Sequence, residues 1–205
     1  MSTKGKSVKL DYHGIETNAE MITEFCNELL DTNRRIVANG QGKKTAGCIW
    51  GTHGIGKTDI PEQVAKARGI GFSKITPAEF SEMGDMLGMP TTGCYVIKDG
   101  QSKLIEKDLL EAYELKGWAK DITKPSVTMN SAPDWVPNVD LGAEEEGIFL
   151  IDDMNRADRT LLNGCMNLLQ NGGLSSWKLP AGWTIITTCN PSGGNYQIKE
   201  MDDAQ

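Results

Sequence analysis

Apolar residues recur at helical spacing in the N-terminal part of the chain. Within residues 18–38 they fall on one face of a predicted helix, and Asn18 is suited to cap its first turn. Helices are also predicted over residues 57–68 and 160–169, and each is followed by a glycine that can end it. Shorter helices are predicted over residues 77–83 and 108–118.

Continuous apolar runs alternate with these helices and predict buried strands. The runs cover residues 44–50, 70–75, 147–151 and 183–188. Strands that alternate with helices predict an α/β fold with a mostly parallel sheet. Two further strands, residues 94–97 and 103–105, flank Asp99-Gly100, which is a favoured hairpin turn. Residues 120–142 contain three prolines and are predicted to be rich in loops.

Composition and charge narrow the class of protein. The chain has 205 residues, 39% of them hydrophobic, and a formal net charge of −7. These values are typical of a globular domain and disfavour a general basic surface for nucleic acid. No apolar run is long enough for a transmembrane helix, so we expect no membrane association. The five cysteines lack zinc-site spacing, which favours a reducing cytoplasm, and Cys48 and Cys189 are predicted core residues.

The segment after the first predicted strand matches the pattern G-x-x-x-x-G-K-[ST] in full. Its residues are Gly51, Thr52, His53, Gly54, Ile55, Gly56, Lys57 and Thr58, and Asp59 follows them. The glycines let the backbone curl so that its N–H groups point at phosphate oxygens, and the following helix adds its positive N-terminus. Lys57 is predicted to reach the β- and γ-phosphates, and Thr58 to bind Mg²⁺. We therefore expect residues 51–59 to bind a nucleotide, with His53 facing solvent.

Polar residues follow two of the other predicted strands. Asp152 and Asp153 come directly after residues 147–151, and Asn190 comes shortly after residues 183–188. Ligands bind at the carboxyl ends of parallel strands, so we expect the three side chains to meet the same crevice. Asp152 is predicted to bind Mg²⁺ directly or through water, and Asp153 to polarise the attacking water. Asn190 is predicted to orient that water or contact the γ-phosphate.

Together these segments resemble the AAA+ ATPases, most closely their MoxR-like branch. The glycine-rich loop resembles the Walker A motif of that family, and residues 150–157 (LIDDMNRA) resemble its Walker B segment. Residues 187–191 (TTCNP) resemble sensor 1, and residues 84–90 resemble the D-L-[LIV]-G segment of the branch. The hairpin predicted within residues 94–105 lies where such proteins carry an insertion. The resemblance covers residues 12–205.

The resemblance implies a fold, a division of the chain and an activity. The fold is a P-loop NTPase αβα sandwich, with an N-terminal arm at residues 1–16 and an ATP-binding core at residues 17–205. Residues 94–142 form an insertion in that core. The activity is Mg²⁺-dependent ATP hydrolysis, with Lys57, Asp153 and Asn190 as catalytic residues. Family members assemble as rings, commonly hexamers, and act on protein clients, often with a von Willebrand factor A domain partner.

Three features depart from the family pattern. Asp153 replaces the usual glutamate, and its shorter side chain predicts slower hydrolysis. The stretch between Lys57 and Asp152 is long for the family. An arginine finger and a helical lid are expected after a segment such as residues 194–205, and the sequence does not include them.

Single residues leave alternatives open. The resemblance places Arg156 near a subunit interface, whereas its position in the sequence equally allows pairing with Asp153 or Asp158. Trp177 either lies at the tip of a hairpin that faces a pore or packs in the core.

Two other functions also stay open. One is a nucleic-acid-directed P-loop motor or a GTPase subunit of the McrB type, which the acidic charge disfavours. The other is a nucleotide-binding regulator with little turnover.

Overall fold

The computed structural model describes residues 14–40 and 42–191. The α-helices in these residues are α1 (Ala19–Asn39), α2 (Asp59–Arg68), α3 (Met83–Leu87), α4 (Leu110–Leu115) and α5 (Arg159–Asn171). The strands are β1 (Gly47–Trp50), β2 (Gly71–Ile75), β3 (Pro90–Lys98), β4 (Gln101–Glu106), β5 (Ala119–Lys120), β6 (Val127–Asn130), β7 (Glu146–Ile151), β8 (Gly173–Leu174), β9 (Trp177–Lys178) and β10 (Gly182–Cys189).

Four strands form a parallel sheet in the order β1-β10-β7-β2. All three neighbouring pairs are parallel, which confirms the predicted α/β class and mostly parallel sheet. Because the strands share one direction, the segments that leave β1, β7 and β10 start from the same edge of the sheet.

Helices cover both faces of this sheet. Ile148 and Leu150 of β7 pack with residues of α1 and α2, whereas Phe149 and Ile151 of the same strand pack with residues of α5. All four side chains are fully buried, and burial of each contributes about 1.5–3 kcal/mol. The continuous apolar run is explained by this burial on two faces.

The predicted ends of α1 are confirmed. The Asn18 side chain accepts a hydrogen bond from the backbone N–H of Met21, at 2.9 Å, and Gly40 ends the helix at a φ of 62°. The next helix, α2, starts at Asp59 rather than at Lys57, because Lys57 and Thr58 still belong to the glycine-rich loop.

A second, antiparallel sheet consists of β3–β6. Its central strand β3 pairs with β4, β5 and β6. The predicted hairpin is confirmed, and Asp99 and Gly100 at its turn have φ values of 49° and 78°, as two-residue hairpin turns require. Residues 120–142 are rich in loops, as predicted, but they also contain the short strand β6, which the sequence did not predict. The β6 sequence, VTMN, is only four residues long and ends in a strand-disfavouring asparagine, which is too weak a signal to predict a strand.

The two short helices differ from their predictions. Residues 77–83 contain only a 3-10 turn (Pro77–Glu79), and the helix α3 begins at Met83. Glu82 and Asp85 form a capping box that starts α3 at this point. Residues 108–118 contain α4, which ends at Leu115.

Trp177 is a packed core residue. It is 5% exposed, and its ring centroid lies 5.4 Å from that of Trp135. Its indole N–H donates to the backbone carbonyl of Leu87 at 3.1 Å. A hairpin does form from β8 and β9, but the Trp177 side chain packs inward.

The prediction that both strand cysteines are buried is half right. Cys189 is fully buried, whereas Cys48 is exposed. Cys48 lies on β1, at the edge of the four-stranded sheet, and its neighbour Ile49 takes the face that α1 covers. The Cys48 and Cys189 sulfurs lie 3.9 Å apart. The contact with the Cys189 sulfur lowers the pKa of Cys48 to about 7.

Some predicted features lie outside the described residues. These are most of the N-terminal arm, at residues 1–13, and the family-like segment at residues 194–205. Among the helices that the structure describes, none combines the length and apolar character needed to cross a membrane.

Candidate functional site

The glycine-rich loop, Asp152–Asp153 and Asn190 meet at one edge of the parallel sheet. They follow β1, β7 and β10, which are adjacent in the sheet. The backbone N–H of Gly51 donates to the Cys189 carbonyl at 3.2 Å, which ties the start of the loop to the end of β10. The sheet topology therefore brings together the three segments singled out in the sequence.

Backbone geometry explains two of the loop glycines. Gly54 and Gly56 have φ values of 75° and 86°, which side chains with a Cβ rarely adopt. The N–H of Ile60 then donates to the Gly56 carbonyl at 3.0 Å and forms the first helical turn of α2. The loop thus leads directly into the helix N-terminus, where backbone N–H groups lack helical partners.

Lys57 points back into the loop. Lys57 is only 6% exposed. Its Nζ donates to the Thr52 carbonyl at 2.9 Å and to Asn190 Oδ1 at 3.2 Å. Burial lowers the pKa of Lys57, and the carboxylates of Asp153 and Asp152 oppose that effect. The amine thus lies at the centre of the site, within the curl of the backbone.

Thr58 and Asp152 lie side by side. The Thr58 hydroxyl donates to Asp152 Oδ1 at 2.8 Å, and the hydroxyl of Thr188 donates to the same oxygen at 2.6 Å. Thr58 makes no side-chain cap to α2, so its hydroxyl is directed at the carboxylate instead. A hydroxyl and a carboxylate oxygen are hard ligands of the kind that Mg²⁺ takes. These two residues therefore fit that ion.

Asp153 has an unusual backbone and two side-chain partners. Its φ of 48° lies in the left-handed region, and its N–H donates to the Thr188 hydroxyl at 2.8 Å. Its Oδ1 accepts from Asn190 Nδ2 at 2.7 Å, and its Oδ2 pairs with Arg156 Nη1 at 3.2 Å. Of the two pairings open for Arg156 in the sequence, the structure shows the one with Asp153.

Asn190 links the two sides of the site. It is 1% exposed, and its amide group bridges Lys57 Nζ and the Asp153 carboxylate. Its backbone is held by Asn155, which is equally buried.

Thr188 and Asn155 also belong to the site, although neither was predicted from the sequence as a site residue. Thr188 contacts both acidic residues, and Asn155 contacts Asn190. Both residues lie in the segments that resemble Walker B and sensor 1, and this position is the one feature of the sequence that could have indicated a role. Their contacts could not be predicted, because they depend on the register between β7 and β10.

The remaining predicted residues line the outside of the loop. Thr52, His53, Ile55 and Asp59 are exposed. His53 is solvent-facing as predicted, and its Nε2 also lies 3.0 Å from Arg156 Nη2. Asp59 is the first residue of α2, and the structure gives it no distinct role.

No protein-family model matches the chain, and a comparison with curated proteins finds no similar sequence.

The site combines groups for an anion and for a cation. The loop, the N-terminus of α2 and Lys57 present donors to an anion such as a phosphate. Thr58 and Asp152 present oxygens to a divalent cation, and Asp153 adds a second carboxylate on the adjacent residue. This combination suits a metal-bound polyphosphate.

Proposed function

We propose that this chain binds Mg²⁺–ATP at the site and hydrolyses it, as an AAA+ ATPase of the MoxR-like type. The observation that carries the proposal is the convergence of Lys57, the Thr58–Asp152 pair and the Asp153–Asn190 pair at three adjacent strand ends. The parallel sheet with helices on both faces is consistent with a P-loop NTPase αβα core.

Each residue has a role in the proposed reaction. The loop N–H groups and Lys57 bind the phosphates, and Mg²⁺, held by Thr58 and Asp152, offsets phosphate charge when it is bound. A water oxygen attacks the γ-phosphorus while the bond to the β-phosphate oxygen breaks, which releases ADP and phosphate. Asp153 accepts a hydrogen bond from that water and takes the proton that the water loses as its oxygen bonds to phosphorus. A carboxylate offers about four lone-pair sites, so its contacts to Asn190 and Arg156 leave room for one.

The wider function is proposed on the family resemblance. The chain would assemble as a ring, with a hexamer as the expected size, and act on a protein client through residues 94–118 of the insertion. Exposed apolar side chains in that segment and just after it, Ile97, Leu115 and Ile122, are compatible with a protein contact. A von Willebrand factor A domain protein is the partner class proposed.

The site assignment is tested by Lys57→Ala. Removal of the buried amine should weaken ATP binding and reduce phosphate release by about 100-fold or more, because one positioned donor to transferring phosphate contributes on this scale. Lys66→Ala is the matched control, since Lys66 is an exposed lysine on α2. Fluorescent-nucleotide titration and a phosphate-release assay measure the two steps. A Lys57→Ala variant that retains full turnover would reject the assignment.

One observation favours a second candidate, a nucleotide-binding regulator with little turnover. Asp153 is already engaged by both Asn190 and Arg156, and it is one methylene shorter than a glutamate. Tight ATP binding without phosphate release in a single-turnover experiment would favour the regulator. The same assay with GTP tests the McrB-type alternative, for which GTP would be the preferred nucleotide.

A further inference from the structure

Asn155 makes two hydrogen bonds to the backbone of one other residue. Its Nδ2 donates to the Asn190 carbonyl at 2.7 Å, and its Oδ1 accepts from the Asn190 N–H at 3.0 Å. Asn155 is 1% exposed and lies in the 3-10 turn Met154–Arg156, directly after Asp153.

These bonds hold Asn190 at the point where sheet pairing ends. Strand β10 ends at Cys189, and Pro191 has no N–H with which to continue a ladder. Buried backbone groups need hydrogen-bond partners. The side chain of Asn155 is the partner of both the N–H and the carbonyl of Asn190.

The backbone of Asn190 determines where its side chain lies. That side chain contacts Lys57 Nζ at 3.2 Å and Asp153 Oδ1 at 2.7 Å at the same time. Both contacts depend on one Cα position, and misplacement of a reacting group by about 1 Å can reduce a rate by about 100-fold.

We propose that Asn155 is a positioning residue that joins the turn carrying Asp153 to Asn190, so that the two move as one unit. This inference rests on the proposed function, because the unit matters for catalysis only if Asp153 and Asn190 act on a nucleotide. Asn155 itself contacts neither Lys57 nor the Asp153 carboxylate through any hydrogen bond of the described residues.

The chain offers a matched control in Asn33. This residue is 2% exposed, and its Nδ2 donates to the Thr45 carbonyl at 2.8 Å while its Oδ1 accepts from the Thr45 N–H at 2.9 Å. It thus makes the same pair of bonds to the backbone just before β1, at the opposite end of the sheet, and its Nδ2 also donates to the Thr184 hydroxyl at the start of β10, at 3.2 Å. Asn33→Ala removes an equivalent clamp without touching the site.

The test compares Asn155→Ala with Asn33→Ala by two measurements. The first is amide hydrogen exchange of Asn190 by NMR, normalised to the core amides of β7. Asn155→Ala should accelerate it at least 10-fold, and Asn33→Ala should leave it unchanged. The second is the split between kcat and nucleotide affinity. Asn155→Ala should lower kcat by about 100-fold with less than a threefold change in ATP affinity, and Asn33→Ala should change neither.

Asn155→Ser provides a second variant in case Asn155→Ala does not fold. It keeps a neutral polar group in the buried turn, but its side chain is too short to bond both the N–H and the carbonyl of Asn190, so intermediate exchange at Asn190 is expected. Unchanged Asn190 exchange in the folded variant, or equal kcat losses in Asn155→Ala and Asn33→Ala, would overturn the inference. The exchange measurement needs no turnover. A wild-type chain without ATP hydrolysis would instead reject the proposed function.

Discussion

Asp153 is the residue on which the proposed ATP hydrolysis depends most. It lies beside the proposed metal ligand Asp152 and contacts Asn190 and Arg156. Asp153→Asn keeps the size and one acceptor oxygen but removes the charge that would polarise water. We expect turnover to fall by about 100-fold or more, the scale of a general base, with ATP binding retained.

A phosphate-release assay beside a binding titration checks this expectation. Asp85→Asn is the control, because Asp85 accepts backbone bonds from Ser81 and Glu82 in the cap of α3. Turnover in Asp153→Asn equal to that of the control would contradict the role given to Asp153.

Site residues whose surroundings are set by nearby sequence can be predicted, and those whose contacts are distant in sequence cannot. Lys57 and Thr58 are predictable, because an eight-residue pattern followed by a helix defines their surroundings. Thr188 is not, because its contacts with Asp152 and Asp153 require the parallel register in which Thr187 of β10 lies opposite Ile151 of β7. A shift of that register by one residue would turn the Thr188 hydroxyl to the other face of the sheet.

At the scale of elements, Asp140 connects three parts of the second sheet region. Its carboxylate accepts from Tyr113 Oη of α4 at 2.6 Å and pairs with Lys103 of β4, and its backbone carbonyl accepts from Lys116. Burial opposes ionisation, but Lys103 and Tyr113 outweigh it and hold the pKa of Asp140 below its usual value. Burial and then Asp140 raise the pKa of Tyr113, which keeps its hydroxyl as a donor.

This geometry predicts a pH-dependent contribution to stability. A lowered carboxylate pKa stabilises the fold fully above the unfolded value, about 3.9, and the contribution is lost as pH falls through the lower folded pKa. Asp140→Asn should therefore cost about 1–2 kcal/mol near neutral pH, and the difference from wild type should vanish in acid.

Thermal melts between neutral and acidic pH measure this difference. Asp108→Asn is the control, since Asp108 is an exposed residue of the same region. A loss in Asp140→Asn that stays constant down to acidic pH would contradict the ion pair as its cause.

Element prediction succeeds where burial is continuous or a turn is specific. The apolar run of β7 and the Asp99-Gly100 turn of the hairpin are both local signals, and both predictions are confirmed. The strand β6 has no such signal, and it pairs with residues 90–93, with Asn130 at the end of the pairing opposite Pro90. Asn130 donates from its side chain to the Gly88 carbonyl and accepts from Ser175 of the β8–β9 hairpin.

At the scale of the whole molecule, a ligand at the strand ends would stabilise more than the site. The ends of β1, β7 and β10 belong to three adjacent strands that carry the helices on both faces. Anything that binds the folded state alone stabilises it by mass action, by about 2.7 kcal/mol at 100 times its dissociation constant. For a chain of this size that corresponds to a rise in Tm of about 5–10 °C.

If Thr58 and Asp152 bind Mg²⁺ as proposed, the part of this stabilisation that Mg²⁺ adds should depend on the Thr58 hydroxyl. Thr58→Ala should lose the extra rise in Tm that Mg²⁺ gives to ATP, because only Asp152 of the proposed ligand pair remains. Thr58→Ser keeps the hydroxyl and should retain most of the rise. Melting curves with ATP, in Mg²⁺ or in EDTA, compare the two variants directly. If Thr58→Ala responded to Mg²⁺–ATP as wild type does, the hydroxyl would not be a ligand, and the bond from Thr58 to Asp152 would be structural only.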